Sequence, residues 1–239
     1  MYKYFISICL FFVFAEIFSQ EQVKDNLLPK EKDTLIYKTS YGLRLGIDIS
    51  RPVLSAMSNS YTGFEVAGDY RIKKNLYIAG EVGYEEQVSA EDYSNSTSVG
   101  NYIRLGLNYN AYKNWLDMNN EVFVGVRYGF SLFDQTLNAY TPNVSDLENG
   151  NYFPAIVKEP SMTANSLNAH WSEFMVGLKA ETLKNVFVSF SVSYKVLMRV
   201  REPAGFKTLF APGFNRIFES STGFGFNYTL SYLLPFSKK

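Results

Sequence analysis

The amino-acid sequence predicts an all-β protein: an eight-stranded antiparallel up-and-down transmembrane β-barrel that forms one domain over residues 41–239. Three observations predict this fold. Eight segments of about ten residues alternate apolar and polar side chains with a period of two, which is typical of membrane-spanning strands. One face of these segments carries no charge, and the connections between them are alternately short and long.

The composition excludes two broad classes of protein. The chain has 239 residues, of which 46% are hydrophobic and 19% are charged, so it does not have the composition of a disordered chain. Its 23 basic and 23 acidic residues give a net charge of zero. A nucleic-acid-binding domain would need a surplus of cations on one face, so we expect no nucleic-acid partner.

The N-terminus is predicted to be an export signal followed by a flexible segment. Residues 1–19 begin with Lys3, continue as an apolar run too short to span a bilayer, and are typical of a secretory signal peptide. Cleavage is expected after Ser19 and would remove Cys9, the only cysteine, so the mature chain would form no disulfide. Residues 20–40 are charged and contain Pro29, which predicts a flexible periplasmic N-terminal tail.

The barrel strands are predicted from the alternation alone. In the first segment, 41–50, Leu43, Leu45 and Ile47 share one face, whereas Arg44 and Asp48 share the other. The same pattern recurs in seven further segments: 62–73, 76–85, 102–111, 122–132, 172–181, 186–199 and 223–236.

The charged faces are predicted to line the interior of the barrel. A soluble barrel would show the same period with its apolar face inward, but here the charged faces are rich in glycine and balance seven acids against seven bases. Buried charges need partners of opposite sign, whereas a Lys or Arg facing lipid at mid-bilayer costs roughly 2–4 kcal/mol. The predicted interior salt-bridge network is Arg44, Asp48, Glu65, Asp69, Arg71, Glu81, Glu85, Arg104, Arg127, Glu173, Lys179, Glu181, Lys195 and Arg199.

The lengths of the connections predict the orientation. With the tail in the periplasm, the short connections 73–75, 112–120 and 182–185 fall on the periplasmic side. The longer connections fall outside, namely 51–61, 86–101, 133–171 and 200–220. Residues 133–171 and 200–220 are the long external loops, and their aromatic side chains would either cap the barrel or dock a partner.

The last strand carries a resemblance to a known class of protein. Its outward positions alternate apolar and aromatic residues and are followed by only three more residues; they are Tyr228, Leu230, Tyr232, Leu234 and Phe236. This resembles the membrane-insertion signal that the barrel insertion machinery reads. Over residues 41–236 the chain is similar to the small outer-membrane β-barrels of Gram-negative bacteria, of the OmpA and OmpX type, and to their uncharacterised members of unknown function. The resemblance implies an outer-membrane location but no particular activity.

The sequence offers two weak candidates for catalysis. Glu81 and Glu85 are a carboxylate pair, but an internal salt-bridge network explains them better. His170 and Ser172 are two residues apart on the sixth strand and would both project outward near the outer rim. This spacing resembles the arrangement of the outer-membrane lipid A deacylase, although no acidic residue is available on the same face to orient the histidine.

The predicted function is therefore a structural one. One histidine and no mature cysteine predict no metal site, and no cofactor is expected. We expect a non-catalytic integral outer-membrane barrel with a filled lumen, serving a structural or interaction role, such as an accessory subunit of an outer-membrane assembly or secretion complex. Its partners would be the lipid bilayer, the insertion machinery during biogenesis, and an outer-membrane protein bound through the external loops. A lipid-modifying enzyme that uses His170 and Ser172 and a narrow, porin-like pore remain as alternatives.

Overall fold

The computed structural model describes residues 40–112, 119–142, 157–217 and 220–238. The predicted signal peptide and the tail up to residue 39 lie outside the described residues. The secondary-structure elements in chain order are β1 (Ser40–Asp48), α1 (Ser50–Met57), β2 (Tyr61–Lys73), β3 (Leu76–Glu91), β4 (Ser94–Asn110), β5 (Glu121–Tyr140), β6 (Met162–Leu183), β7 (Val186–Val200), β8 (Phe210–Ala211), β9 (Asn215–Arg216) and β10 (Thr222–Lys238).

Eight of the strands form one antiparallel sheet that closes into a ring. Strands β1 to β6 each pair with the next strand in the chain, and β10 pairs with both β7 and β1. The closing pair runs from Ser40 opposite Lys238 to Asp48 opposite Thr229. The prediction of an all-β chain with eight antiparallel up-and-down strands is confirmed.

The ring has its apolar side chains outside and its polar side chains inside. On β5, Val124, Val126 and Tyr128 are exposed, whereas Phe123 and Arg127, which alternate with them, are buried. The pattern follows from the pleat of a strand, which sends successive side chains to opposite faces. The alternation in the sequence therefore assigned the two faces of the wall in this strand correctly.

The strands are longer than their apolar alternation predicted. β3 and β4 continue through residues 86–101 and are joined by a turn at Asp92 and Tyr93. β5 extends to Tyr140 and β6 begins at Met162, so much of the predicted loop 133–171 is strand. The extensions are rich in Ser, Thr and Asn. Backbone pairing does not require apolar side chains, which explains why the apolar pattern ended before the strands did.

One helix was not predicted at all. α1 follows β1 directly because the Asp48 carboxylate accepts hydrogen bonds from the N–H and the hydroxyl of Ser50, at 2.9 and 2.7 Å, and so turns the chain. Pro52 lies in the first turn of the helix, where its missing N–H is not needed. None of the helices among the described residues is long and apolar enough to cross a membrane.

The two ends of the ring differ. The short-turn end holds the turns at Lys74–Asn75 and Lys184–Asn185. The long-loop end holds α1 and the β8–β9 hairpin, and a buried apolar cluster lies there inside the ring. The cluster consists of Tyr102, Phe133, Leu167, Ala169, Trp171, Ala211 and Phe214.

Candidate functional site

The interior of the ring holds an array of paired charges. Among the described residues, ion-pair contacts inside the ring join seven cations to seven carboxylates. The cations are Arg44, Arg51, Arg71, Arg104, Arg127, Lys179 and Lys195, and the carboxylates are Asp48, Glu65, Asp69, Glu81, Glu85, Glu121 and Glu173. The equal numbers keep the interior neutral, as buried charges require.

One group of these charges lies toward the short-turn end and is centred on Arg44. Its Nε donates to Asp69 Oδ1 at 2.5 Å, and its Nη1 donates to Glu121 Oε1 at 2.6 Å. Lys179 donates to the second oxygen of Asp69, and the Arg71 guanidinium lies 3.9 Å from Glu121. The Arg44 guanidinium also stacks 4.6 Å from the centre of the Tyr77 ring. Arg44 is therefore held by charge and by an aromatic face at once.

The second group is centred on Arg104. Its Nη2 donates to Glu65 at 2.5 Å, its Nη1 donates to Glu173 at 3.3 Å, and its Nε lies 3.8 Å from Glu81. Arg127 and Lys195 extend the group, since Arg127 Nε lies 3.1 Å from Glu81 and Lys195 Nζ lies 3.8 Å from Glu173.

Arg51 belongs to the second group although it lies on α1. It donates to Glu85 and lies 3.8 Å from Glu65 and 3.6 Å from Asp48. Burial by itself lowers the pKa of Arg51, but the charge of Glu85 and then its other neighbours more than offset this, so its pKa lies well above the ordinary value. Arg51 therefore stays charged and ties the helix to the interior.

Two predicted members of the network are elsewhere. Arg199 is exposed on the outer face, because β7 has a bulge: Trp171 pairs with Leu197 and His170 with Arg199, so Met198 is an extra residue. Leu197 points inward like Lys195, and the extra residue after it turns Arg199 outward. Glu181 is half-buried at the end of β6 and accepts hydrogen bonds from Asn119 and from the N–H of Asn185; no cation among the described residues lies within ion-pair distance.

Two members of the network were missed. Glu121 lies two residues before Phe123 and therefore points inward like it, but it precedes the predicted strand by one residue. A predicted strand that started one residue earlier would have included it. Arg51 carries no such signal, because it reaches the interior from a helix. The two residues replace Glu181 and Arg199, and the balance of seven against seven is unchanged.

The loop between β7 and β10 closes the long-loop end from inside. The Gly213 N–H donates to Glu85 at 2.7 Å, and its carbonyl accepts from Lys195 Nζ at 2.6 Å. Phe214 packs edge-on against the Trp171 ring, with 6.0 Å between ring centres. The predicted external loop 200–220 therefore caps the ring through its β8–β9 hairpin, and residues 218–219 lie outside the described residues.

Little open space remains among the paired charges. The cavity at the middle of the interior, between Arg44 and Arg104, has a volume of about 50 Å³. A second cavity of about 300 Å³ lies at the long-loop end, beside α1. Glu81 and Glu85 are both held by cations in this interior, which leaves neither carboxylate free for acid–base chemistry.

His170 and Ser172 lie on the outer face as predicted, and the contacts of His170 are with other side chains. His170 Nδ1 is 2.6 Å from the Tyr128 hydroxyl, and its ring lies 4.8 Å from that of Phe130. Neither a hydrogen bond to Ser172 nor a carboxylate partner of His170 occurs among the described residues. The described part of the chain also contains no group of three His, Cys, Asp or Glu residues that could hold a metal ion.

The predicted insertion signal lies on the outer face of β10. All five of its side chains are exposed: Tyr228, Leu230, Tyr232, Leu234 and Phe236. They continue the apolar surface of the ring up to the strand that closes it.

A family model described as a domain of unknown function, DUF6048, matches residues 1–239. The chain belongs to the DUF6048 family. No curated protein sequence matches it. Family membership and the all-β ring thus agree with the prediction of an uncharacterised β-barrel family and assign no activity.

Proposed function

We propose that this DUF6048 protein is a non-catalytic integral barrel of the bacterial outer membrane. The observation that carries the proposal is the inverted distribution of side chains: the outside of the ring is apolar and the inside is charged. Monomeric soluble proteins rarely expose continuous apolar patches above roughly 300–600 Å², whereas a lipid-facing wall requires one. The predicted signal peptide supports export, and the exposed pattern of β10 supports insertion by the barrel machinery.

The filled interior supports a structural role over conduction. Arg44 and Arg104 bind carboxylates of strands that are not their neighbours in the ring, and the β8–β9 hairpin covers the long-loop end. An eight-stranded barrel has an interior just wide enough for its own side chains. A narrow pore would need an open path, which a cavity of about 50 Å³ among paired charges does not provide.

The long-loop end supports an interaction role, as an accessory subunit of an outer-membrane assembly or secretion complex. Apolar side chains project from it beyond the ring wall: Met57 of α1 is 80% exposed, and Tyr93 at the β3–β4 turn is 73% exposed. Exposed aromatic and methionine side chains are enriched at protein interfaces. A partner protein would therefore bind at this end.

The test is purification from the native membrane in a mild detergent. We expect the protein to stay in the membrane fraction after an alkaline wash and to copurify with one partner in fixed stoichiometry. Matched Met57→Ser and Tyr93→Ser variants should lose the partner and still fold. Release by the alkaline wash would contradict the membrane location, and a monomer without a partner would contradict the subunit role.

A further inference from the structure

The wall of the ring has a notch at its long-loop end, between β2 and β10. β1 pairs with β10 only as far as Thr229 and with β2 only as far as Val66, because the chain turns into α1 after Asp48. Residues 222–227 of β10 and 61–65 of β2 therefore have no strand between them. α1 lies in this gap and packs mainly against β2.

The cavity of about 300 Å³ lies in the notch. Leu54 of α1, Tyr61 of β2 and Phe226 of β10 border it from the two sides of the gap, and Phe210 and Phe214 border it from within the ring. Leu54 and Phe226 are exposed, whereas Phe210 and Phe214 are buried. The cavity thus connects the outer surface to the interior of the ring, and its size falls at the lower end of ligand pockets.

The polar side chains at its inner end are already engaged within the protein. Glu85 accepts from Arg51, from the Tyr61 hydroxyl and from the Gly213 N–H, and Lys195 donates to the Gly213 carbonyl. The rest of the lining is mainly apolar, with Leu54 and four phenylalanines beside Ser58, Gln87 and Asn215. The cavity is therefore suited to an alkyl chain rather than to a charged group.

The backbone at the edge of the notch suits the polar ester groups to which such an alkyl chain is joined in a lipid. The Ser221 carbonyl accepts a hydrogen bond from the Leu197 N–H of β7, and the Tyr228 carbonyl accepts one from the Ile49 N–H just after β1. Successive residues of a strand direct their backbone groups to opposite sides, so the even-numbered residues of β10 direct theirs toward the gap. The N–H groups of Phe224 and Phe226 thus face the notch. This edge of β10 is only two residues long, which is too short to pair with an added strand. Its two N–H groups can instead donate to the ester oxygens of a lipid.

We infer that the notch binds an acyl chain of a membrane lipid that enters sideways through the wall between β2 and β10. This inference rests on the proposed membrane location. The outer ends of the notch continue the apolar outer surface of β10, so a chain from the bilayer would reach Phe210 and Phe214 along Leu54, Phe224 and Phe226.

The test uses the protein in vesicles that contain a phospholipid with a diazirine on one acyl chain. After illumination, peptide mass spectrometry should find lipid adducts at Phe210 and Phe214 and also at Phe174, which is 50% exposed on the outer face. Leu54→Trp should abolish the adducts at Phe210 and Phe214 and leave those at Phe174. Ala56→Trp, which adds the same ring on the same helix outside the cavity, should leave all of them.

The outcomes separate this inference from the proposed function. Adducts at Phe174 without adducts at Phe210 or Phe214 would overturn the notch as a lipid site and leave the membrane barrel standing. Interior adducts that persist in Leu54→Trp would also overturn it, since the chain would enter by another route. An absence of adducts at Phe174 would overturn the membrane location itself.

Discussion

Arg44 of β1 and Glu121 of β5 bind each other across the interior, with 2.6 Å between Arg44 Nη1 and Glu121 Oε1. The two strands are four places apart in a ring of eight, so the pair joins opposite walls. Arg44 Nη2 adds a second bond to Glu121 Oε2 at 3.2 Å, which makes the contact bidentate. The pair both blocks the lumen and braces the ring.

Removing one member of this pair should destabilise the barrel strongly. We expect Arg44→Met to lower the free energy of unfolding by about 3–5 kcal/mol, because buried Glu121 loses its bidentate partner and buried Asp69 loses one of its two cations. Urea titration of the protein in vesicles measures this. The double variant Arg44→Met with Glu121→Met should recover part of the loss. A double variant that loses the sum of the two single effects would show that the residues do not act as a pair.

The bulge in β7 predicts a large effect for one cation of this strand and almost none for another. Lys195→Met should reduce the free energy of unfolding by about 3–5 kcal/mol, because Glu173 and the Gly213 carbonyl lose a buried partner. Arg199→Met should change it by less than about 0.5 kcal/mol, because its side chain is on the surface. Equal losses from the two substitutions would place Arg199 inside the ring and contradict the bulge.

The β8–β9 cap depends on a glycine that has no room for a side chain. Gly213 has φ +79°, and a Cβ at this position would lie 2.5 Å from Tyr102 Cγ. Gly213→Ala should therefore displace the cap and expose residues 201–217 to protease, without unfolding the ring. Gly205→Ala is the matched control, since Gly205 also has a positive φ, +92°, but its Cβ would meet nothing closer than 3.6 Å. The same rate of cleavage in both variants would mean that the cap does not pack against Tyr102.

The filled interior predicts that the protein does not conduct ions. Planar-bilayer recordings of the wild-type protein should show no stable conductance, because paired side chains and the cap occupy the lumen. The Arg104→Ala variant tests for a hidden path. A stable wild-type conductance that changes in this variant would identify Arg104 as part of a pore and contradict the structural role.

The sequence predicted the wall of the ring better than its ends. Residues such as Leu105 and Val126 alternate with Arg104 and Arg127. This alternation predicted the number of strands and which charged residues point inward. The bulge at Met198 shifts the period by one residue without any change in composition, so Arg199 was assigned to the wrong face. Arg51 enters the network from a helix that exists because Asp48 bonds to Ser50, which is a local contact rather than a periodic pattern.

The central claim is that the outer surface of the ring faces lipid, and spin-label accessibility tests it most directly. Leu105, on β4, is 57% exposed on the outer face, and Cys9 lies in the predicted signal peptide, so Leu105→Cys provides a single labelling site in the mature chain. A nitroxide there, with the protein in vesicles, should be relaxed by oxygen, which concentrates in lipid, and shielded from a water-soluble nickel chelate. A nitroxide at Tyr93→Cys, in the turn of the long-loop end, should show the reverse. If the nickel chelate relaxes both labels equally, the outer surface faces water and the account is wrong.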